Sequence, residues 1–151
     1  MGKKELVDFF SAKKKIAGGD VDWERKKKQW LDDVAALYDK VQNEYLAGAV
    51  RKGDVSISRD EVDISEEFIG KYSIPKLIVS VGDERVEFLP KGCNVVGASG
   101  RVDLIGDMGG KTLVVQPGHR WGIVKTRTPA LKIAPLDANS LLDALKEIMR
   151  P

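Results

Sequence analysis

Residues 100–126, GRVDLIGDMGGKTLVVQPGHRWGIVKT, decide the fold class of this chain. Apolar residues recur here in pairs at a spacing of two: Val102 and Leu104, Leu113 and Val115, Trp121 and Ile123. That spacing is typical of strands with one buried face. Only the turn residues 107–110 and 117–118 separate the pairs. Because parallel neighbours need a crossover of about a dozen residues or more, the stretch predicts an antiparallel meander.

The same period extends in both directions along the chain. Further pairs are Val55 and Ile57, Val62 and Ile64, Leu77 and Val79, Val86 and Phe88, and Leu131 and Ile133. The sequence therefore predicts seven or eight strands. Pro75, just before Leu77, indicates an edge position or a strand start, since proline cannot donate to a ladder.

The first third of the chain predicts two helices. Residues 3–16 lack Gly and Pro, and Gly18-Gly19-Asp20 interrupts the chain. From about 21 to 46, apolar residues at steps of seven, four, three, four and four form one stripe: Trp23, Trp30, Val34, Leu37, Val41 and Tyr45. This is the pattern of an amphipathic helix. Asp20 or Asp22 is the expected N-cap, and the residues from Gly48 to Gly53 give the stop signal.

A last helix follows Pro135, with Asp137 as its expected N-cap. Its predicted buried stripe consists of Leu141, Leu142, Leu145, Ile148 and Met149. The fold class is thus α+β: two N-terminal helices, a strongly bent, roll-like antiparallel sheet of seven to eight strands, and a C-terminal packing helix. We expect a basic N-terminal helix over 1–19 and a single α+β domain over 20–151. The element order is comparable to a pleckstrin-homology-type roll, which implies no function.

Composition narrows the classes of function. The 151 residues are 42% hydrophobic and 32% charged, as expected for one globular unit, and no stretch approaches the ~20 apolar residues of a membrane span. Cys93 is the single cysteine, so no intrachain disulfide forms, and we expect a soluble cytoplasmic protein. With His119 as the single histidine, a four-ligand Cys/His zinc site within one chain is excluded. No cofactor or metal is predicted.

Charge is concentrated near the N-terminus. Residues 1–28 hold nine basic and five acidic side chains, a net of +4, whereas the rest of the chain carries −2. The candidate partner-binding residues are Lys13, Lys14, Lys15, Arg25, Lys26, Lys27 and Lys28. They could contact nucleic-acid phosphates, with Trp23 and Trp30 stacking on bases, or an anionic membrane. We favour the third interpretation, a solvated surface that docks an acidic partner.

Patterns that would indicate catalysis are incomplete. Residues 106–112, GDMGGKT, have Ile105 where a phosphate loop needs glycine, and a strand follows instead of a helix. Ser99 lacks the second glycine of a nucleophile elbow, since Arg101 stands there. Cys93 and His119 are the only pair able to form a thiolate–imidazole dyad, and we expect a buried thiol and a solvated imidazole instead. Hairpin turns explain both glycine-rich stretches.

The carboxylates are scattered. Asp60, Glu61, Asp63, Glu66 and Glu67 make one part of the chain acidic, without the spacing of a calcium loop. We interpret them as solvated charges at strand edges and turns.

Two stretches carry a resemblance: GRVDLIG at 100–106 and LDALKEIM at 142–149. Together with the helix containing Trp30 and with Trp121, they resemble small uncharacterised bacterial proteins of about this length. The resemblance implies a bacterial cytosolic origin and no activity, cofactor or catalytic residue.

The sequence favours a non-catalytic binding module for a protein, peptide or small ligand. One alternative is a weak nucleic-acid-binding protein that acts through the basic N-terminal helices. A second is a hydrolase-type enzyme whose carboxylates converge only in the folded chain.

Overall fold

A computed structural model describes residues 2–14, 22–95 and 98–151. The helices are α1 (Lys3–Lys14), α2 (Trp23–Lys40), α3 (Ala47–Lys52) and α4 (Ala138–Ile148), and a π-helical turn, Val41–Tyr45, joins α2 to α3. The strands are β1 (Ser56–Glu66), β2 (Gly70–Val81), β3 (Glu84–Gly92), β4 (Gly100–Gly106), β5 (Gly109–Gln116), β6 (Arg120–Thr126) and β7 (Lys132–Pro135). The predicted α+β class is confirmed.

The seven strands form one antiparallel sheet in chain order, β1 to β7, which is not closed. The two expected strands around Ile57 and Ile64 are a single strand, because β1 pairs with β2 without interruption from Ser56 to Glu66. Pro75 lies within β2 and not at its start, on the part that pairs with β1 alone, since the ladder to β3 begins at Leu77. The missing proline N–H therefore costs no bond to β3.

Helix α2 begins as the sequence predicts. Asp22 is its N-cap and accepts a hydrogen bond from the backbone N of Arg25 at 3.1 Å, whereas Asp20 lies outside the described residues. The helical path continues through Gly48 and ends at Gly53, whose φ of +79° is the left-handed conformation that favours glycine. The helical segment therefore ends at Gly53, the second glycine of the predicted stop signal.

Helix α2 packs its apolar stripe on the sheet. Trp30, Val34, Leu37, Tyr38 and Val41 are buried together with apolar side chains of β2 to β6. The Tyr38 hydroxyl donates to the carbonyl oxygens of Pro75 and Phe88 at 2.9 and 3.2 Å. Burial raises the pKa of Tyr38 well above its usual range. These contacts fix the helix over the middle of the sheet.

Helix α4 packs next to β4 and β5, and its buried residues belong to the same core as those of α2. Asp137 caps it as predicted, in a capping box in which its carboxylate accepts from Ser140 N and the Ser140 hydroxyl accepts from Asp137 N. Leu141, Ala144 and Ile148 are its buried apolar residues. Leu142, expected in the stripe, is 49% exposed. The core-facing positions of α4 are 141, 144 and 148, and position 142 lies outside that stripe. Within the described ranges, no helix has the length and apolarity to cross a membrane.

Candidate functional site

The structure places the predicted basic residues on two helices. Lys13 and Lys14 belong to the last turn of α1, Lys15 lies outside the described residues, and residues 25–28 belong to the first turns of α2. Arg25 and Lys28 are exposed. Lys27 is 3.7 Å from Glu24 Oε2, and the Lys26 Nζ lies 5.0 Å from the centre of the Trp23 ring. Of these four cations, Lys27 therefore has an ion-pair partner, whereas Lys26 lies near an aromatic ring and forms no ion pair among the described residues.

The two tryptophans near this basic segment are packed against protein groups. Trp30 is 1% exposed, as the stripe predicts, and Trp23 stacks on Phe68 with ring centres 5.4 Å apart. A buried ring offers no face to a base, so Trp30 cannot act as a stacking platform.

A cleft of about 370 Å³ opens between α2, the π-helical turn and the strands β6 and β7. We call it the α2 cleft. Leu37, Tyr45, Trp121 and Leu136 form its largely apolar walls. Lys40 and Arg120 stand at its rim, both exposed, and the Lys40 Nζ lies 5.7 Å from the Tyr45 ring centre.

Four residues make up what we call the Asp33 cluster: Asp33, His119 and Trp121, which line the α2 cleft, and Gln29, which is adjacent to Asp33. The imidazole Nδ1 of His119 lies 3.1 Å from Asp33 Oδ1. The Gln29 amide donates to the same oxygen at 3.3 Å, and the Trp121 indole donates to the Asp33 carbonyl oxygen at 3.1 Å. Because a carboxylate only accepts, the His119 tautomer with its proton on Nδ1 is the one that can donate to Asp33. The Asp33 side chain is 8% exposed, whereas that of His119 is 59% exposed, so the pair connects the protein interior to solvent.

The turn between β5 and β6 holds His119 in this position. Pro117 and Gly118 begin the turn, and His119 has a φ of +61°, in the left-handed region that few residues other than glycine adopt. The fixed Asp33 contact is consistent with such a backbone conformation, since surrounding structure must determine it.

Positive charge at the rim of the α2 cleft is not neutralised by the protein. Across the described residues, neither Lys40 nor Arg120 forms an ion pair, while the buried Asp33 is paired with His119. An anion entering the cleft would meet two available cations above an apolar wall.

A second cleft, also of about 370 Å³, adjoins Asp33 on the side toward the start of α2. We call it the N-terminal cleft. Arg25 and Lys26 line it together with Gln29 and Ser99. Asp33 lines both clefts, so the two lie along one face of α2.

A different polar group, the Glu66 cluster, lies between α2, β1, β2 and the end of β3. It consists of Trp30, Glu66, Tyr72 and Cys93. The Glu66 carboxylate accepts from the backbone N of Cys93 at 2.9 Å, from that of Asn94 at 2.8 Å and from the Tyr72 hydroxyl, which in turn accepts from the Trp30 indole at 3.0 Å. The expectation that Glu66 is a solvated charge is wrong, because protein donors surround its carboxylate.

The Glu66 cluster also determines the state of the thiol. The Cys93 Sγ lies 3.7 Å from Glu66 Oε2, and burial, followed by the charge of Glu66, raises the pKa of the thiol to about 12. Burial also raises the pKa of Tyr72 well above its usual range, with the Glu66 hydrogen bond as the next cause. Cys93 and His119 thus have separate partners, and the thiol stays protonated at neutral pH.

The remaining sequence motifs have the expected structural roles. Residues 106–112 form the β4–β5 hairpin, and Ser99 directly precedes β4, while Gly97 lies outside the described residues. Asp60, Glu61, Asp63 and Glu67 are exposed. In the parts of the chain that the structure describes, no group of three His, Cys, Asp or Glu could hold a metal ion.

Sequence reasoning missed Asp33 and its contact with His119. One signal was present: Asp33 falls three residues after Trp30 and four before Leu37, on the apolar stripe of α2. An acid at a stripe position must find a partner when it is buried. The partner itself was hidden, since 86 residues separate Asp33 from His119.

No protein-family model, curated protein or solved structure matches this chain. The assignment of the α2 cleft therefore depends on its own residues.

Proposed function

We propose that this protein is a non-catalytic binding module whose α2 cleft takes a ligand with an anionic group and an apolar or aromatic body. The observation that carries the proposal is the pair of cations without ion-pair partners, Lys40 and Arg120, above walls formed by Tyr45 and Trp121. A volume of about 370 Å³ lies in the range of small-molecule and side-chain pockets. The Asp33 cluster gives the cleft a floor that is ordered before a ligand binds. Binding therefore costs less conformational entropy.

The hydrolase alternative has one supporting feature, the imidazole of His119 oriented by Asp33. A dyad of this kind needs a nucleophile, and the buried, protonated thiol of Cys93 does not supply one. Water would have to serve instead. Hydrolysis of p-nitrophenyl phosphate or acetate that is lost in His119→Gln would favour this alternative over binding alone.

The nucleic-acid alternative is supported by the exposed side chains of Arg25 and Lys28. If these helices bound phosphates, affinity would fall steeply with salt, and replacing Lys26, Lys27 and Lys28 by Gln would flatten that dependence. We expect no retention on RNA or DNA at physiological salt.

The proposal includes a roll-like curvature of the sheet around α2. Support comes from contacts of the same helix with strands far apart in the sheet: Arg59 of β1 donates to Asp39 at 3.0 Å, and Trp121 of β6 donates to Asp33. A flat sheet would separate β1 and β6 by about 24 Å, twice the width of a helix. Such a bend leaves the α2 cleft at one margin of the roll.

We also propose that the module acts in a bacterial cytoplasm. The single cysteine, held as a protonated thiol, fits a reducing compartment. The bacterial origin rests on the resemblance of residues 100–106 and 142–149.

Isothermal titration with phenyl phosphate tests the α2 cleft. We expect saturable binding that weakens about tenfold or more in Lys40→Gln and in Arg120→Gln, because each removes a charge-assisted hydrogen bond. Lys71→Gln is the matched control, since Lys71 is exposed on β2 and does not line the cleft. Equal affinity in all four proteins would refute the proposed site.

A further inference from the structure

The two clefts lie one after the other along the same face of α2 and share Asp33, so one ligand could extend through both as one groove. Their lining residues Arg25, Gln29, Asp33 and Lys40 recur at helical spacings on one face, and Asp33 belongs to both clefts. At 1.5 Å per residue, the 15 positions from Arg25 to Lys40 correspond to about 22 Å. This length exceeds a small molecule and matches a short extended chain.

The positive charges of this groove lie at its two ends. Arg25 and Lys26 stand at one end, where they outnumber the N-cap carboxylate of Asp22, and Lys40 and Arg120 stand at the other. Between them lies the Asp33 carboxylate, with His119 as its partner. A complementary ligand has negative groups at its two ends and none in the middle.

We infer that the groove binds an extended peptide segment that carries two acidic residues about six positions apart. This inference rests on the proposed function of the α2 cleft and extends it to a class of partner. An extended chain rises about 3.3–3.6 Å per residue, so six residues cover the distance between the cationic ends. In the middle, the Gln29 amide and the Ser99 hydroxyl line the groove and offer polar contacts to a peptide backbone.

The division of charge argues against a nucleic-acid strand in the same groove. A strand carries one phosphate per about 3.4 Å, so roughly six phosphates would lie along the 22 Å path. Those in the middle would approach the Asp33 carboxylate, where like charges repel. A peptide leaves neutral residues at that point.

The test compares two capped heptapeptides by fluorescence anisotropy. The first has the sequence Glu-Ser-Gly-Ser-Gly-Phe-Glu, with Phe next to one acid to enter the α2 cleft. The second has Gln in place of the first Glu. We expect the first to bind on the order of tenfold more tightly, since the second contact becomes intramolecular. Arg25→Gln and Lys26→Gln should abolish the difference, and Lys28→Gln, which lines neither cleft, should retain it.

The outcomes separate this inference from the proposed function. Equal affinity of the two peptides, with both weakened in Lys40→Gln, would overturn the two-ended groove and leave the α2 cleft as a single site. Absence of binding by both peptides and by phenyl phosphate would overturn both. Tighter binding of a thymidine hexanucleotide than of the first peptide, weakened in Lys28→Gln, would overturn the peptide in favour of a nucleic acid.

Discussion

The Glu66 cluster and the Asp33 cluster have similar chemistry and different access to solvent. Each combines a carboxylate residue with the indole N–H of a tryptophan, Trp30 in one and Trp121 in the other. The Glu66 carboxylate accepts from two backbone N–H groups and a tyrosine hydroxyl, all from the protein. The Asp33 carboxylate depends on two exposed side chains, His119 and Gln29, and two clefts adjoin it.

This difference assigns a different role to each cluster. Where protein donors satisfy a polar group on all sides, its role is to hold loops and strands together. Where a polar group is held by protein contacts on one side and borders a cleft on the other, it can contact a ligand without rearrangement. Changes in the Glu66 cluster should therefore reduce stability, and changes around the Asp33 cluster should mainly reduce binding.

The largest expected effect is a loss of stability when Trp30, a member of the Glu66 cluster, is replaced. Trp30→Ala should reduce the free energy of unfolding by about 3–5 kcal/mol, because it empties a buried aromatic site and leaves the Tyr72 hydroxyl without its donor. Gly100→Ala should also destabilise, since a Cβ there would overlap the Trp30 ring. Urea denaturation measures both. Full stability of either variant would contradict the packing described for Trp30.

Replacing the two carboxylates in turn tests the comparison directly. Glu66→Ala should cost about 2–3 kcal/mol, because it leaves the N–H groups of Cys93 and Asn94 without an acceptor. Asp33→Ala should cost about 1 kcal/mol or less, since His119 is exposed enough to be hydrated and the backbone acceptor for Trp121 remains. Chemical denaturation of both variants gives the ranking. A larger loss in Asp33→Ala would reverse the assigned roles.

Alkaline pH should reduce the contribution of the Glu66 cluster to the free energy of unfolding. The folded protein holds the Cys93 proton more tightly than the unfolded chain, in which the pKa is near 9.0, so the thiol contributes stability that is complete below pH 9. That contribution is lost as the pH rises from 9 toward 12. The urea midpoint should fall more steeply over this range in the natural protein than in Cys93→Ala. Parallel slopes would show that the thiol is not buried beside Glu66.

The smallest effect concerns the cap of α4, which belongs to neither cluster. The Ser140 N–H lowers the pKa of Asp137, so the charged cap stabilises the fold above the ordinary carboxyl pKa. Its contribution is lost as the pH falls through the lowered value. The melting temperature of Asp137→Asn should therefore vary less between pH 5 and pH 2 than that of the natural protein. An unchanged acid profile would show that the cap does not hold its charge.

Local patterns predicted the elements of this fold well. The stripe from Trp30 to Val41 defined the buried face of α2, and Asp137 and one of two candidates for α2, Asp22, were predicted as caps, because these signals depend on residues close in sequence. The seven observed strands are the lower of the two predicted counts, because 58–61 contains no Gly or Pro to end β1 and its ladder with β2 continues. Strand length depends on the partner strand as much as on the strand itself.

The candidate site was predictable only in part. Arg25 and Lys26 were identified as basic candidates and line the N-terminal cleft. Lys40 and Arg120, in contrast, are isolated charges in sequence, and only the packing of β6 against α2 brings them to one rim. The polar partners of Asp33 and Glu66 depend on contacts between residues 86 and 27 positions apart, which periodicity does not reveal.

The two indole N–H groups allow the comparison to be tested in a single NMR titration. Trp121 donates to Asp33 and Trp30 donates to Tyr72, and because the two ring centres lie 6.3 Å apart, the comparison rests on which of the two indole signals shifts more. We predict that phenyl phosphate shifts the ¹H–¹⁵N indole resonance of Trp121 in a saturable manner and by more than that of Trp30, and that the effect is lost in Lys40→Gln. A titration that shifts the Trp30 resonance more than that of Trp121 would contradict the assignment of the α2 cleft as the binding site.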